Sequence, residues 1–307
     1  MKKTLLVLFT VLAGSAAISQ PVLKDTNYNF RLTSVAWMPD GKSLLFSMVK
    51  FHKTNRQAPF YSRVYQYDLQ SKQLSVLLEN GGNLAPSPDG KQIAYMKRDD
   101  PKRSAILIYN VASKQERVIE PDTMKKNSLS WSPDGKSLLY NISYNGVNQF
   151  ATIDICVLDL ATEKVKQVTQ SAPHKSYTPV WSPDSRKIVY YLEKGDGRDQ
   201  IWLTDADGSF HKNLTNDTTT LNYYPSWIDD QTIIYTQDPE SIMTMNIDGS
   251  NRRKLEGIKS SQVKFNPATK KLAYLAPDPE KKIIIFDWQT KKSSVVLDES
   301  VFDNLFW

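Results

Sequence analysis

The chain has 307 residues, 39 Lys and Arg against 33 Asp and Glu, and a single cysteine. The formal net charge of +6 is mild and its carriers are scattered over turn segments, which argues against a nucleic-acid footprint. One cysteine excludes an internal disulfide, and the length suits one large all-β domain or two ordinary ones.

At the N-terminus, Lys2 and Lys3 precede an apolar stretch over residues 5–12 and the small residues Ala13-Gly14-Ser15-Ala16-Ala17. This is the pattern of an export signal, predicted here over residues 1–19 with cleavage before Gln20. The apolar stretch is shorter than the roughly 20 residues a membrane anchor needs, so no transmembrane anchor is expected. No cysteine stands near the cleavage region, so no lipid anchor is expected either. No Pro/Ser-rich linker divides the remainder, and residues 20–307 are predicted to form a single domain.

From Ser34 onward one phrase recurs: small and apolar residues, an aromatic or Pro, a Pro-Asp turn, then an apolar run. Its anchors are Trp37, Pro86, Trp131, Trp181, Trp227 and Phe265, spaced by 49, 45, 50, 46 and 38 residues. Repeats of this length mark propeller blades or solenoid units. Each repeat carries four strand signals. The first ends at the anchor. The second follows the turn, at 44–48, 93–96, 138–142, 188–192, 232–236 and 272–275. A hairpin supplies the third and fourth, as at 201–205 and 212–215. In Ser132-Pro133-Asp134-Gly135, Pro presets the first turn dihedral and Gly supplies the positive φ that returns the chain to the next strand. Sustained helical periodicity is absent. Four-stranded units of this size bury their faces by stacking radially, and the anchor tryptophans are predicted to be cohesive core. The expected fold is an all-β, six-bladed β-propeller of four-stranded antiparallel blades. Seven blades is the alternative, because Asp303-Asn304-Leu305-Phe306-Trp307 reads as one more first strand.

The Trp-Ser-Pro-Asp-Gly-Lys phrase, followed by Ile201-Trp202-Leu203-Thr204-Asp205-Ala206-Asp207-Gly208 and Asn213-Leu214-Thr215, resembles the propeller repeat of the TolB family. The resemblance runs from Ser34 to Trp307 and is densest from Ser128 to Asn216. It implies a ring closed by a terminal strand. It also implies a protein partner in the cell envelope, such as a peptidoglycan-associated lipoprotein. The family's periplasmic translocation protein carries an α/β domain ahead of its propeller. Here the repeats begin almost directly after the predicted signal, so that domain is expected to be lacking.

In such a ring the long, irregular connections lie on one face, and irregular loops on a rigid scaffold are where function concentrates. Those connections carry Arg56, Tyr61, Tyr144, His174, Tyr177, Arg198, Tyr223 and Tyr224, the aromatic and Arg mixture typical of recognition surfaces. They are the candidate binding residues. Acidic pairs recur there too (Asp99 and Asp100, Asp196 and Asp199, Asp238 and Glu240, Asp278 and Glu280) and read as solvated turn carboxylates. The three histidines share no short motif, Gly-x-Ser-x-Gly and phosphate loops are missing, and Cys156 lies in an apolar run. No catalytic residue, metal or cofactor is expected. The expected function is an exported, periplasmic, monomeric, non-enzymatic protein-interaction module. The alternative is a carbohydrate-active or hydrolytic propeller with a polar or metal site around His174 and Asp196.

Overall fold

Each apolar run that follows a turn is a strand buried along its length, and antiparallel partners flank it on both sides. The computed structural model describes residues 27–55, 61–100, 103–120, 124–145, 151–196, 198–217, 219–260, 262–277 and 280–302. The predicted export signal, Arg56, Asp278 and the terminal segment 303–307 lie outside the described residues, as do the side chains of Asp99 and Asp100.

The strands come in runs of four, each run covering one sequence repeat. The first is β1 (Tyr28–Trp37), β2 (Ser43–His52), β3 (Tyr61–Asp68) and β4 (Leu74–Glu79). The second is β5 (Gly81–Pro86), β6 (Gln92–Asp100), β7 (Arg103–Asn110) and β8 (Glu116–Glu120). The third is β9 (Lys126–Trp131), β10 (Ser137–Asn145), β11 (Ala151–Asp159) and β12 (Val165–Gln167). The fourth is β13 (Lys175–Trp181), β14 (Lys187–Glu193), β15 (Gln200–Asp205) and β16 (His211–Asn213). The fifth is β17 (Asn222–Asp229), β18 (Thr232–Gln237), β19 (Ser241–Asn246) and β20 (Arg253–Lys259). The last is β21 (Val263–Asn266), β22 (Lys271–Leu275), β23 (Ile283–Asp287) and β24 (Lys292–Leu297), followed by a one-turn helix, α1 (Glu299–Phe302). Within each run, strands pair antiparallel in chain order.

The sheet count departs from the expectation of six or seven separate blades. Four four-stranded sheets stand alone, and the third and fourth runs form one eight-stranded sheet. They merge at a parallel bridge between Ile153 of β11 and Lys175 of β13. The cause is the buried carboxylate of Asp154. It accepts hydrogen bonds from the Thr169 hydroxyl (3.0 Å), the Ser171 backbone N–H (2.7 Å) and the Gln167 amide (3.0 Å). These bonds draw the connector after β12 against β11 and bring the start of β13 alongside.

The first strands of successive runs touch in a cycle, β1 to β5, β9, β13, β17, β21 and back to β1. Among the described residues six apolar cores fill the spaces between neighbouring runs. Each anchor tryptophan inserts against the strands of the run that precedes its own. Trp227 packs on Val189, Ile201 and Leu203, Trp181 on Leu139 and Ile155, and Trp131 on Ala94 and Ile106. Trp37 closes the ring by packing with Ala273 and Ile285 of the last sheet, and its Nε1 donates to the Lys264 carbonyl at 2.9 Å. The Trp227 Nε1 donates likewise to the Val180 carbonyl at 3.2 Å. All four indoles are buried. The expected role of these residues as cohesion is therefore observed directly.

The turns follow the expected chemistry. In the third repeat, the Gly135 N–H donates to the Ser132 carbonyl and the Ser132 hydroxyl donates to Asp134 at 2.6 Å, with Gly135 at φ +74°. The fourth repeat places Ser185 at the equivalent left-handed position, φ +61°.

Replacing Trp227 by Ala should cost about 3–5 kcal/mol in urea unfolding, the range for a buried large aromatic. Phe210→Ala, at a side chain 46 % exposed, should change stability by no more than about 0.5 kcal/mol.

Candidate functional site at the mouth of the ring

The connections from second to third strands, and from fourth strands to the next run, share one face because strand direction alternates. At that face the inner strands stop being regular. β1, β5, β9, β13 and β17 each carry a register shift a few residues before the anchor. In four of them the residue three positions before the anchor has a left-handed backbone: Asn83 (φ +52°), Ser128 (φ +58°), Thr178 (φ +45°) and Tyr224 (φ +51°). Asn tolerates this conformation, whereas for β-branched Thr and bulky Tyr it is a true outlier, and such strain clusters at functional sites. A bulge sets two residues against one partner and breaks the inward–outward alternation.

The bulges in β13 and β17 gather aromatics. Tyr177 is the direct cross-strand partner of Tyr191, and their rings stack at 5.2 Å with planes 23° apart. Tyr224 meets Tyr191 edge-on at 5.7 Å, and Tyr223 meets Tyr224 perpendicularly at 5.1 Å. Tyr223 also reaches Tyr191 at 6.5 Å. Offset and edge-on pairs of this kind contribute about 0.5–1.5 kcal/mol each beyond area burial.

Carboxylates rim the cluster. Glu193 pairs with Lys175 at 2.9 Å. Asp199 is half-buried beside Glu193 and Asp196, and its backbone carbonyl accepts the Asn222 N–H at 2.8 Å. Burial, reinforced by the charges of Glu193 and Asp196 and only partly opposed by Lys175, pushes the Asp199 carboxyl up to about 6. Burial also raises the Tyr177 phenol to about 12, helped by its hydrogen bond to Glu193 and that residue's charge. The phenols of Tyr191, Tyr223 and Tyr224 are raised as well, first by burial and then by neighbouring acidic groups.

Of the eight residues expected to bind, the structure thus brings Tyr177, Tyr223 and Tyr224 together. Tyr144, on β10, makes its contact instead with the Cys156 thiol, and its phenol is raised by burial and by that thiol. Cys156 is the expected buried apolar filler, with burial pushing its thiol up to about 11. Tyr61 opens β3 and is largely exposed, Arg198 is exposed, and His174 is half-buried in the turn before β13. Sequence reasoning missed two residues. Tyr191 was absorbed into a strand, although the Tyr190-Tyr191 doublet forces one ring to each face. Tyr190 goes to the apolar core and Tyr191 to the mouth. Asp199 was read as a solvated turn carboxylate; its burial against two other acids corrects that. Among the described residues no group of three or more His, Cys, Asp or Glu could hold a metal ion, and no helix is long and apolar enough to cross a membrane.

Four-stranded antiparallel sheets arranged in a closed cycle around their first strands define a β-propeller. The family model described as TolB beta propeller domain matches residues 149–305, half of the chain, and the protein belongs to that family. A second model, described as eukaryotic translation initiation factor eIF2A, matches residues 26–192, where the chain carries the same repeat. An uncharacterised protein of Agrobacterium fabrum is 26 % identical over 70 % of this chain and 72 % of its own length. The Tol-Pal system protein TolB of Francisella tularensis is 26 % identical over 67 % of this chain and 46 % of its own length. The chain thus spans less than half of that curated TolB. Among solved structures, TolB from Acinetobacter baumannii superposes with a TM-score of 0.63 at 18 % identity, covering 87 % of this chain and 79 % of that one. An oligogalacturonate lyase in complex with manganese superposes with a TM-score of 0.60 at 16 % identity, covering 85 % and 75 %. At these identities the superpositions establish the fold alone.

A carboxyl raised by folding leaves stability untouched below its unfolded value near 4 and costs stability once the pH exceeds its folded value near 6. Asp199→Asn should therefore raise Tm at about pH 7.5 by about 2–4 °C, the shift that about 1 kcal/mol brings in a large domain. The gain should vanish near pH 4. Thermal melts at the two pH values measure both.

Proposed function

We propose that this protein is an exported, periplasmic, single-domain propeller that captures an envelope protein at the mouth of its ring and performs no chemistry itself. In this reading the eight-stranded sheet counts as two blades bridged at β11 and β13, giving six blades in all. The protein acts as a monomer, without nucleic acid, cofactor or membrane anchor. The observation that carries the reading is the four-tyrosine cluster, built on β13, β14 and β17 and left half-buried. Rigid aromatic anchors beside a partly desolvated carboxylate are the composition of binding hot spots, where a few residues supply most of the affinity. The partner class is a peptidoglycan-associated lipoprotein, in keeping with the family and with the Tol-Pal system proteins among its relatives.

A second reading is a carbohydrate-active or hydrolytic propeller whose polar site extends from His174 and Asp196 to Asp199. What favours it is the Asp199 carboxyl, poised at about 6, where a group can both give and take a proton near neutrality.

Immobilised protein exposed to envelope extract should retain a peptidoglycan-associated lipoprotein identified by mass spectrometry. Tyr177→Ala and Tyr223→Ala should each weaken its binding about tenfold or more, in line with hot-spot losses above about 1 kcal/mol, while the lost ring pairs lower the melting temperature by about 2–8 °C and leave the protein folded at the temperature of the binding assay. Turnover of oligosaccharides or peptides by the purified protein, abolished in Asp199→Asn, would replace this reading with the second.

A further inference from the structure

On the same face, away from the tyrosines, a cavity of about 260 Å³ opens between the first three runs of strands. Its wall is chemically unlike the tyrosine site. Thr33, Ser62, Asn80, Asn83 and Asn127 supply hydroxyls and amides, Val49 and Met96 supply apolar surface, and among the described residues no lining side chain is charged. The described wall gives a phosphate, a carboxylate or a metal ion no charged partner. The carboxamides of Asn80 and Asn83, each able to donate and accept, suit a neutral guest that does both.

Two details show that the cavity has unused capacity. Among the described residues the Asn83 amide donates only to the Met96 thioether, at 3.5 Å, and sulfur of that kind is a weak acceptor. The left-handed bulge holds Asn83 in that position. Gly82, also in the wall, would meet nothing within 4 Å if it carried a Cβ, so its backbone lies bare to the cavity. The volume falls just below the lower end of ordinary small-molecule sites, about 300 Å³, and so admits one ring-sized group.

We propose that this cavity binds the N-acetylated hexosamine unit of a neutral glycan. The acetamido group offers one donor and one acceptor to the Asn side chains and a methyl to Val49 and Met96. The ring hydroxyls occupy the Asn80 amide and the Ser62 hydroxyl. A peptide segment offers one donor and one acceptor per residue, which leaves more of the wall unpaired, and burying unpaired polar groups is costly. Thr33 contributes least, since its hydroxyl is already 2.7 Å from that of Ser47. The site stands apart from the tyrosine cluster and does not depend on partner capture there.

The test is calorimetric titration of the full-length mature protein with N,N′-diacetylchitobiose. Cellobiose, which has hydroxyls in place of the acetamido groups, and an N-acetylated dipeptide amide serve as comparisons. The chitobiose should bind at least about tenfold more tightly than either. Gly82→Leu fills the cavity where there is room for a side chain, and Asn83→Gly removes the amide while keeping the left-handed backbone; each should weaken binding about tenfold or more. Unchanged melting curves, and retained lipoprotein capture by Gly82→Leu, separate this site from the tyrosine face. Absence of binding, equal binding of cellobiose, tighter binding of the dipeptide, or undiminished binding by Gly82→Leu would overturn the proposal.

Discussion

The fold rests on one contact repeated around the ring: a first-strand side chain driven into the face of the run of strands before it. Trp131, Trp181 and Trp227 make this contact within the chain, and Trp37 makes it across the junction of the first and last sheets. No four-stranded sheet could hide both of its faces alone. Each is stable because its neighbours supply the apolar partner surface, so the interfaces must close on themselves. The hydrogen bond from the Trp37 indole to Lys264 is the polar counterpart of that closure.

Much of this was legible because scaffold repeats. The anchor spacing, the Ser-Pro-Asp-Gly turns and the β-branched runs all carry short-range rules, and they locate the strands to within a few residues. What escaped depends on contacts that cross repeats. Nothing in its sequence neighbourhood sets Asp154 apart, yet in three dimensions it organises the connector that fuses two runs. Asp199 looks like a loop acid because its burial comes from β13, β14 and β17 meeting around it. At the site, Tyr177, Tyr223 and Tyr224 could be found from their place in irregular connections, whereas Tyr144 occupies a similar place and packs on Cys156.

The mouth of the ring is divided by chemistry. Around β13, β14 and β17 it is aromatic and acidic, with phenols and a carboxyl held away from their ordinary titration ranges by desolvation. Around β1, β5 and β9 the described cavity wall is uncharged and rich in amides. Both halves are built mainly from paired strands, so a ligand proposed for either would meet groups already held in place, which limits the ordering cost of association.

The left-handed bulges have a consequence for how such a protein can diversify. Residues 83, 128, 178 and 224 belong to none of the six apolar cores. Exchanging them rewrites what the opening presents to a guest and leaves the cohesion of the sheets intact. Lineages sharing this architecture can therefore drift in recognition at one position in each of these four repeats, without passing through an unfolded ancestor.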